Sequence, residues 1–162
     1  TSTTTTATAI AYGTLAPGVP VSGGQELTVS TNASNGFVVT VIENQNLLSS
    51  TGADIDLFID GATTSVPVVW VPPTPVLDQE WTYGHMGVTS DDSDLNAGEF
   101  VGTKFAGNFN TPRQVFSHTG PADGTTQDKG KARVAYEVQI SNLQEAGTDY
   151  TNTLTYVATP TF

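Results

Sequence analysis

Apolar and polar residues alternate with period two along much of the 162-residue chain. In "ELTVST" Leu27 and Val29 share one face, and in "GFVVTVIE" Phe37, Val39 and Val41 alternate with Val38, Thr40 and Ile42, as β-strands require. "NASNG" lies between them. Both residues of Asn35-Gly36 tolerate positive φ, so the two segments are expected to form an antiparallel hairpin. Farther on, "ARVAYEVQI" sets Ala132, Val134, Tyr136, Val138 and Ile140 on one face against Arg133, Glu137 and Gln139. "NLQEAGTDYTNTLTYVATPTF" then supplies a glycine-containing turn and a strand with Tyr150, Leu154, Tyr156 and Ala158 on one side. These last two strands are expected to pair.

No segment keeps a 3.6-residue apolar period, and 16 glycines and 9 prolines leave little room for a long helix. The expected class is all-β: an immunoglobulin-like antiparallel β-sandwich with long loops and an extended N-terminal strand, with a barrel as the structural alternative. One sandwich domain spans residues 13–162. Residues 44–130 are less regular, and Pro67, Pro72 and Pro73 confine "SVPVVWVPP" to a sheet edge.

Residues 1–12, "TSTTTTATAIAY", contain neither glycine nor proline and are rich in β-branched residues, so they read as a strand in need of a sheet. Thr4, Thr6, Thr8, Ile10 and Tyr12 would share one face. Three fates are open: a first strand within its own subunit, a strand donated to a neighbour, or a disordered or glycosylated tail. Donation joins unlike surfaces and builds an open filament.

Composition narrows the setting. Charged residues make up 13% of the chain and threonine is its commonest residue, a profile suited to a secreted surface protein. The lack of an initiator Met and of a basic start leads to the expectation of a processed N-terminus. No apolar run approaches the roughly 20 residues that span a bilayer, so membrane insertion is not expected. The formal charge is −11, and all five bases (Lys104, Arg113, Lys129, Lys131 and Arg133) lie beyond residue 103. Such a chain repels nucleic acid and anionic lipid, whereas divalent cations suit it. With no cysteine there is no disulfide framework and no thiol chemistry.

The closing "AGTDYTNTLTYVATP" resembles the last strand of spore-coat-U-like and fimbrial β-sandwich subunits. Together with "YGTLAPGVPVSGGQELTVSTNASNGFVVTV", "GADIDLFIDG", "YGHMGVTSDDSDLNAGEF" and "HTGPADGTT", most of the chain after residue 11 resembles uncharacterised secreted surface proteins of candidate-phyla (Patescibacteria) bacteria. That resemblance implies a secreted β fold and transfers no catalytic residue.

Several side chains offer chemistry. Asp91, Asp92, Asp94, Asn96 and Glu99 gather oxygen ligands in one loop that begins like a calcium loop from Asp92. Gly98 then falls one place late, and Thr103 stands where a bidentate acid belongs, so a helix-loop-helix site is excluded; a non-helical calcium loop or a solvated acidic turn remains. Asp54 and Asp56 should share one side of an extended segment, with Asp60 nearby, as a second calcium candidate or a polar strand face. A transition metal would need both His85 and His118 plus carboxylates. Trp70, Trp81 and Tyr83 could stack on a sugar ring or belong to the core. Asn32-Ala33-Ser34 is a glycosylation sequon, the opening threonines could carry O-linked sugar, and Lys104, Lys129 or Lys131 could enter an isopeptide. No nucleophile elbow exists and an acidic chain forms chance carboxylate pairs, so an enzyme is not expected.

The function expected from the sequence is a structural subunit of an extracellular filament or cell-surface layer. Its partners would be copies of itself, joined by N-terminal strand donation, with no cofactor beyond calcium. The alternative is a cell-surface adhesin or carbohydrate-binding module that contacts glycans or a host surface through loops between residues 70 and 125.

Overall fold

A computed structural model describes residues 1–59 and 65–162. Its strands are β1 (Val21–Thr28), β2 (Ser30–Thr31), β3 (Phe37–Glu43), β4 (Leu47–Leu48), β5 (Asp54–Leu57), β6 (Val68–Val69), β7 (Gly84–Ser90), β8 (Lys104–Phe105), β9 (Arg113–His118), β10 (Ala122–Asp123), β11 (Lys131–Ile140) and β12 (Leu154–Pro160). Two 3-10 turns, Glu80–Thr82 and Leu95–Ala97, are the helical elements among the described residues, and none is long and apolar enough to cross a membrane.

The strands form a five-stranded sheet, β1-β11-β7-β5-β4, and a three-stranded sheet, β12-β3-β9, with the two-stranded ribbons β10-β2 and β6-β8 beside them. Register fixes the faces. Tyr136 on β11 lies opposite Gly23 on β1 and Val88 on β7, and Val138 lies opposite Val21 and Met86. This row is the inner face of the larger sheet. Phe37, Val39 and Val41 of β3 meet it from the smaller sheet, and Ala132, Val134, Tyr136 and Val138 are fully buried. Each fully buried side chain of this size contributes about 1.5–3 kcal/mol. The register of β3 against β9 shifts between Val39 and Thr40, a bulge that lets consecutive Val115 and Phe116 both face inwards, with Phe116 edge-on to Phe37 at 4.9 Å.

Strand positions and faces follow the alternation; partners do not. β1 and β3 do not form a hairpin, since β1 pairs with β11 and β3 with β9 and β12. Asn35-Gly36 is a turn, but it carries the chain from one sheet to the other. Gly36 (φ 81°) sits so close to His118 O that a Cβ there would overlap it. β11 and β12 likewise do not pair. They face each other across the interior, where the hydroxyls of Tyr136 and Tyr156 are 2.6 Å apart. The expected all-antiparallel arrangement also fails at β5, which runs parallel to β7. Parallel neighbours need a crossover of about a dozen residues or more, which the long connection after β5 supplies.

A further departure is the opening segment, which is not one extended strand. Thr6 N donates to Ala9 O (2.9 Å) and Thr5 bridges Ile10, so the segment reverses on itself. The smaller sheet ends at β12, whose Tyr156 meets Tyr136 of β11. One strand farther out, the inner face of β1 is covered by this reversed segment, a strap comprising residues 1–20.

The outer face of the larger sheet carries a second apolar layer. Phe58 stacks on Trp70 (4.7 Å, 5°), and Trp70 lies edge-on to His85 (4.8 Å) and Phe105 (5.1 Å). Trp70 Nε1 donates to Gln139 Oε1 at 2.7 Å. Gly87 lies beneath these rings, where a Cβ would come within 3.0–3.3 Å of Phe58, Trp70 and Phe105.

Candidate functional site

The strap is built from short segments. Thr1–Thr3 runs parallel to β1, with Thr3 N donating to Ser22 O (2.8 Å) and Ser22 N to Thr1 O (2.7 Å). After the reversal the Thr3 hydroxyl donates to Ala11 O, and Thr5 Oγ1 to Gly24 O (2.7 Å). Gln25 Nε2 donates to Thr6 O at 2.8 Å. The chain then leaves through Gly13 (φ 67°) and an Ala16-Pro17-Gly18 turn before β1 begins.

The expected face Thr4, Thr6, Thr8, Ile10 and Tyr12 is therefore split. Ile10 and Tyr12 pack on the core, together with Leu15, whereas Thr4, Thr6 and Thr8 are exposed because the reversal at Thr6 turns them outwards. Ile10, Thr3 and Thr5 converge over Gly23: a Cβ there would overlap Ile10 Cγ2 and lie 2.9 Å and 3.3 Å from the methyls of Thr3 and Thr5. Tyr12 reaches farthest, with its hydroxyl 3.9 Å from Met86 Sδ. Burial, then the nearby Tyr156 and Glu137, pushes its phenol well above the usual range. Thr3, Thr5, Leu15 and Gly23 were not singled out from the sequence. "VSGGQELT" held the signal, since glycine inside a strand marks a close approach.

One acidic cluster forms among the described residues. Carboxylate oxygens of Asp54, Asp56 and Glu80 lie within 4.8 Å of one another. Asn46 Nδ2 donates to Asp54 Oδ2 (2.8 Å) and Asp56 Oδ1 (2.9 Å). A hydrogen bond with Asp54, then burial and the charges of Asp56 and Asp54, pushes Glu80 up to about 8, so its carboxyl is protonated at neutral pH. A divalent cation is the chemical alternative to that proton, and these three acids with Asn46 are the groups that can hold one. Asp54 and Asp56 do lie together, Asp60 lies outside the described residues, and nothing in the sequence ties Glu80 to them.

The 91–99 loop is not gathered into a common site. Asp92 is buried and accepts main-chain hydrogen bonds from Ser117 (2.9 Å) and Asp94 (3.1 Å), while burial raises its pKa. Asp91 Oδ1 accepts from Arg133 N (2.6 Å). Glu99 Oε2 pairs with Arg113 Nη2 (3.0 Å), and its other oxygen accepts from Asn96. Asp94 is exposed. Left-handed conformations at Asn96, Ala97 and Gly98 turn the backbone so that these carboxylates serve as turn and strand ties.

The remaining candidates are dispersed. His85 is buried in the larger sheet beside Phe58 and Trp70, and burial lowers it to about 4; His118 ends β9 in the smaller sheet. Trp70 belongs to the outer apolar layer. Trp81 is 45% exposed, and Tyr83 uses its hydroxyl to accept from Asp78 N (3.1 Å). These three rings do not form one flat platform. Another buried acid, Glu43, sits at the inner end of β3, where Asn152 Nδ2 donates to Oε2 (2.9 Å) and burial pushes the carboxyl up to about 7.

No protein-family model matches the chain, and no curated protein and no solved structure matches it.

Proposed function

We propose that the chain is a non-catalytic structural subunit of an extracellular assembly, joined to its neighbours by exchange of the N-terminal strap. The observation that carries this reading is the strap itself, an opening segment whose apolar anchors Ile10, Tyr12 and Leu15 complete the core beyond the edge of the smaller sheet. Its first twelve residues are held to β1 by two main-chain hydrogen bonds and by bonds of the Thr5 and Gln25 side chains, and the chain then passes through Gly13 and Pro17 to Gly18, which is fixed to Ile140 O and Gln139 Nε2 of β11. A neighbour's strap offers the same contacts as the chain's own, so exchange conserves them. Residues 13–20, fully extended, span roughly 26–29 Å, enough to bridge adjacent bodies. A low share of charged residues and abundant threonine support the extracellular setting.

The test mixes two differently tagged full-length copies at high concentration and dilutes them. Strap exchange gives mixed oligomers that persist on dilution and are lost with Ile10→Asp, because an unpaired buried carboxylate is costly. Mixed oligomers unaffected by Ile10→Asp, or none at any concentration, sink the reading.

A second reading, a surface-binding module, is favoured by one observation. Val66, Val69, Val71, Leu77 and Trp81 lie exposed along a single proline-rich stretch. Trp81→Ala would weaken capture on glycan arrays without changing oligomeric state if that reading held.

A further inference from the structure

We infer that Gly23 is the register-setting socket of a peptide-binding groove on the inner face of β1, whose ligand is an uncharged, threonine- and alanine-rich segment that folds back between Thr6 and Ala9 and carries an aliphatic side chain two residues before a tyrosine, supplied by residues 1–15 of a second copy. This rests on the strap-exchange reading and specifies its acceptor site.

The inner row of β1 reads Val21, Gly23, Gln25, Leu27. Glycine within a strand costs about 0.5–1 kcal/mol relative to alanine, so its presence in this row calls for a compensating contact. The contact is the convergence of Ile10, Thr3 and Thr5 on the space a Cβ would fill. β1 cannot retreat to admit a side chain, because Gly23 is held opposite Tyr136 in the middle of the β1-β11 ladder. Ile10 is branched at Cβ and stiff, so it cannot swing aside cheaply either. Gly23 therefore selects where the aliphatic anchor sits.

Tyr12 fixes the second point. In extended chain, residues two apart share a face, so an anchor over Gly23 carries the tyrosine inwards to Met86 while Ala11 stays exposed. Other ties are Gln25 Nε2 to Thr6 O and Thr3 N to Ser22 O, which reach the segment's backbone, and one made by a side chain of the segment, the Thr5 hydroxyl to Gly24 O. Main-chain bonds give affinity with little regard to sequence; the socket and the tyrosine seat give selectivity. Residues 1–15 carry no charged side chain, so the ligand brings no further negative charge to a body of net charge −11.

The experiment uses the full-length chain and a fluorescent synthetic peptide of residues 1–15 in excess over long incubation. Wild type should capture one peptide per chain. Gly23→Val should weaken capture at least about tenfold, or 1.4 kcal/mol, and should lower hydrogen-exchange protection of the Thr3 and Ser22 amides while leaving Val134 protected. Peptide carrying Tyr12→Ala should bind more weakly. Should Gly23→Val fail to fold, the milder Gly23→Ala should lose strap protection, and Gly23→Ala with Ile10→Ala should regain it. Equal capture by wild type and Gly23→Val, unchanged strap protection in the glycine variants, or no capture by wild type overturns the inference. Gly23-dependent capture without mixed oligomers of tagged full-length copies leaves the socket standing and removes subunit joining.

Discussion

The strap on the inner face of β1 and the segment 65–83 on the outer face of β7 cover the same sheet, each over a glycine, yet they are fastened differently. Over Gly87 lie the stacked rings of Phe58 and Trp70, with Trp70 also hydrogen-bonded to Gln139. Beyond Trp70 the outer segment ties itself through Val76 N to Thr82 Oγ1 (2.8 Å), Asp78 N to Tyr83 OH, and Ser141 N to Tyr83 O (2.7 Å). Over Gly23 lie methyl groups of a segment that is tied to β1 by two main-chain hydrogen bonds and two made by the Thr5 and Gln25 side chains, and that packs Ile10, Tyr12 and Leu15 on the core. Proteins open locally where buried contacts and internal hydrogen bonds are few. The expectation that follows is that the outer cover, fixed by Trp70, opens with the body, and that the strap opens before it.

The largest effect should come from Trp70→Ala. It removes a stacked ring, leaves Gln139 without its indole donor and opens a void above Gly87, at a cost of about 3 kcal/mol. Urea unfolding should show the whole transition moving to lower denaturant with unchanged slope. A loss under about 1 kcal/mol would mean that the outer layer is no more integral than the strap.

Tyr12→Ala sharpens the contrast from the other side. A buried aromatic ordinarily costs as much as Trp70, but the strap can leave, so the loss is capped at the free energy of strap docking. We expect about 1–2 kcal/mol, below the 3–5 kcal/mol typical of buried aromatics. Protection should vanish at Thr3 and Ser22 while the β11 amides keep theirs. A fall in β11 protection as large as that from Trp70→Ala would erase the distinction.

How far this contrast was legible in sequence differs between its two halves. Local spacing was enough for Val134, Tyr136 and Leu154, but it put Ile10 and Tyr12 on one face with Thr4, Thr6 and Thr8, and the reversal at Thr6, which spacing does not carry, turns only Ile10 and Tyr12 of these inwards. Pairing partners could not be read from spacing. Asn35-Gly36 announces a turn but not whether the next strand returns to the same sheet; that depends on contacts such as Gly36 against His118, 82 residues away by numbering. Tyr136 and Tyr156 alternate correctly in their strands, yet they meet across the core rather than along a ladder. The acidic cluster was half legible. Asp54 and Asp56 are two residues apart, whereas Glu80 arrives on the outer segment only once the parallel β5-β7 pairing has folded it back.

The interior between the two sheets responds to pH through Glu43, which belongs to neither cover. Glu43 titrates near 7 in the fold and at about 4.5 when unfolded, so the native state binds the extra proton. Stability from this group is full below pH 4.5 and is lost as pH rises through 7. Glu43→Gln should therefore raise Tm at pH 8, on the order of 5 °C, and leave it nearly unchanged at pH 5. His85, buried neutral, works the opposite way below its ordinary value of 6.5, but it is common to both proteins, so the Glu43 contribution is read from the difference between wild type and variant at each pH. Equal gains at pH 5 and pH 8 would show that the substitution repacks the core and has no link to protonation.

The smallest effect concerns Glu80, which fastens the outer cover to β5. Its carboxyl stays protonated up to about pH 8 because it shares a hydrogen bond with Asp54 beside the charge of Asp56. Raising the pH through 8 removes that proton and sets three carboxylates against one another within 4.8 Å. Like charges at that distance repel unless a cation intervenes. Wild type should lose Tm between pH 7 and 9, and Glu80→Gln should flatten that part of the profile. Calcium must displace the proton to enter, so any stabilisation by calcium should grow with pH and should be smaller in Glu80→Gln. Differential scanning calorimetry at pH 6.5 and 9, with calcium or with chelator, separates the outcomes. A calcium effect that is equal at both pH values and survives Glu80→Gln places the ion elsewhere. No calcium effect at either pH leaves the cluster as a proton-held clasp, with the outer cover still fixed by Trp70.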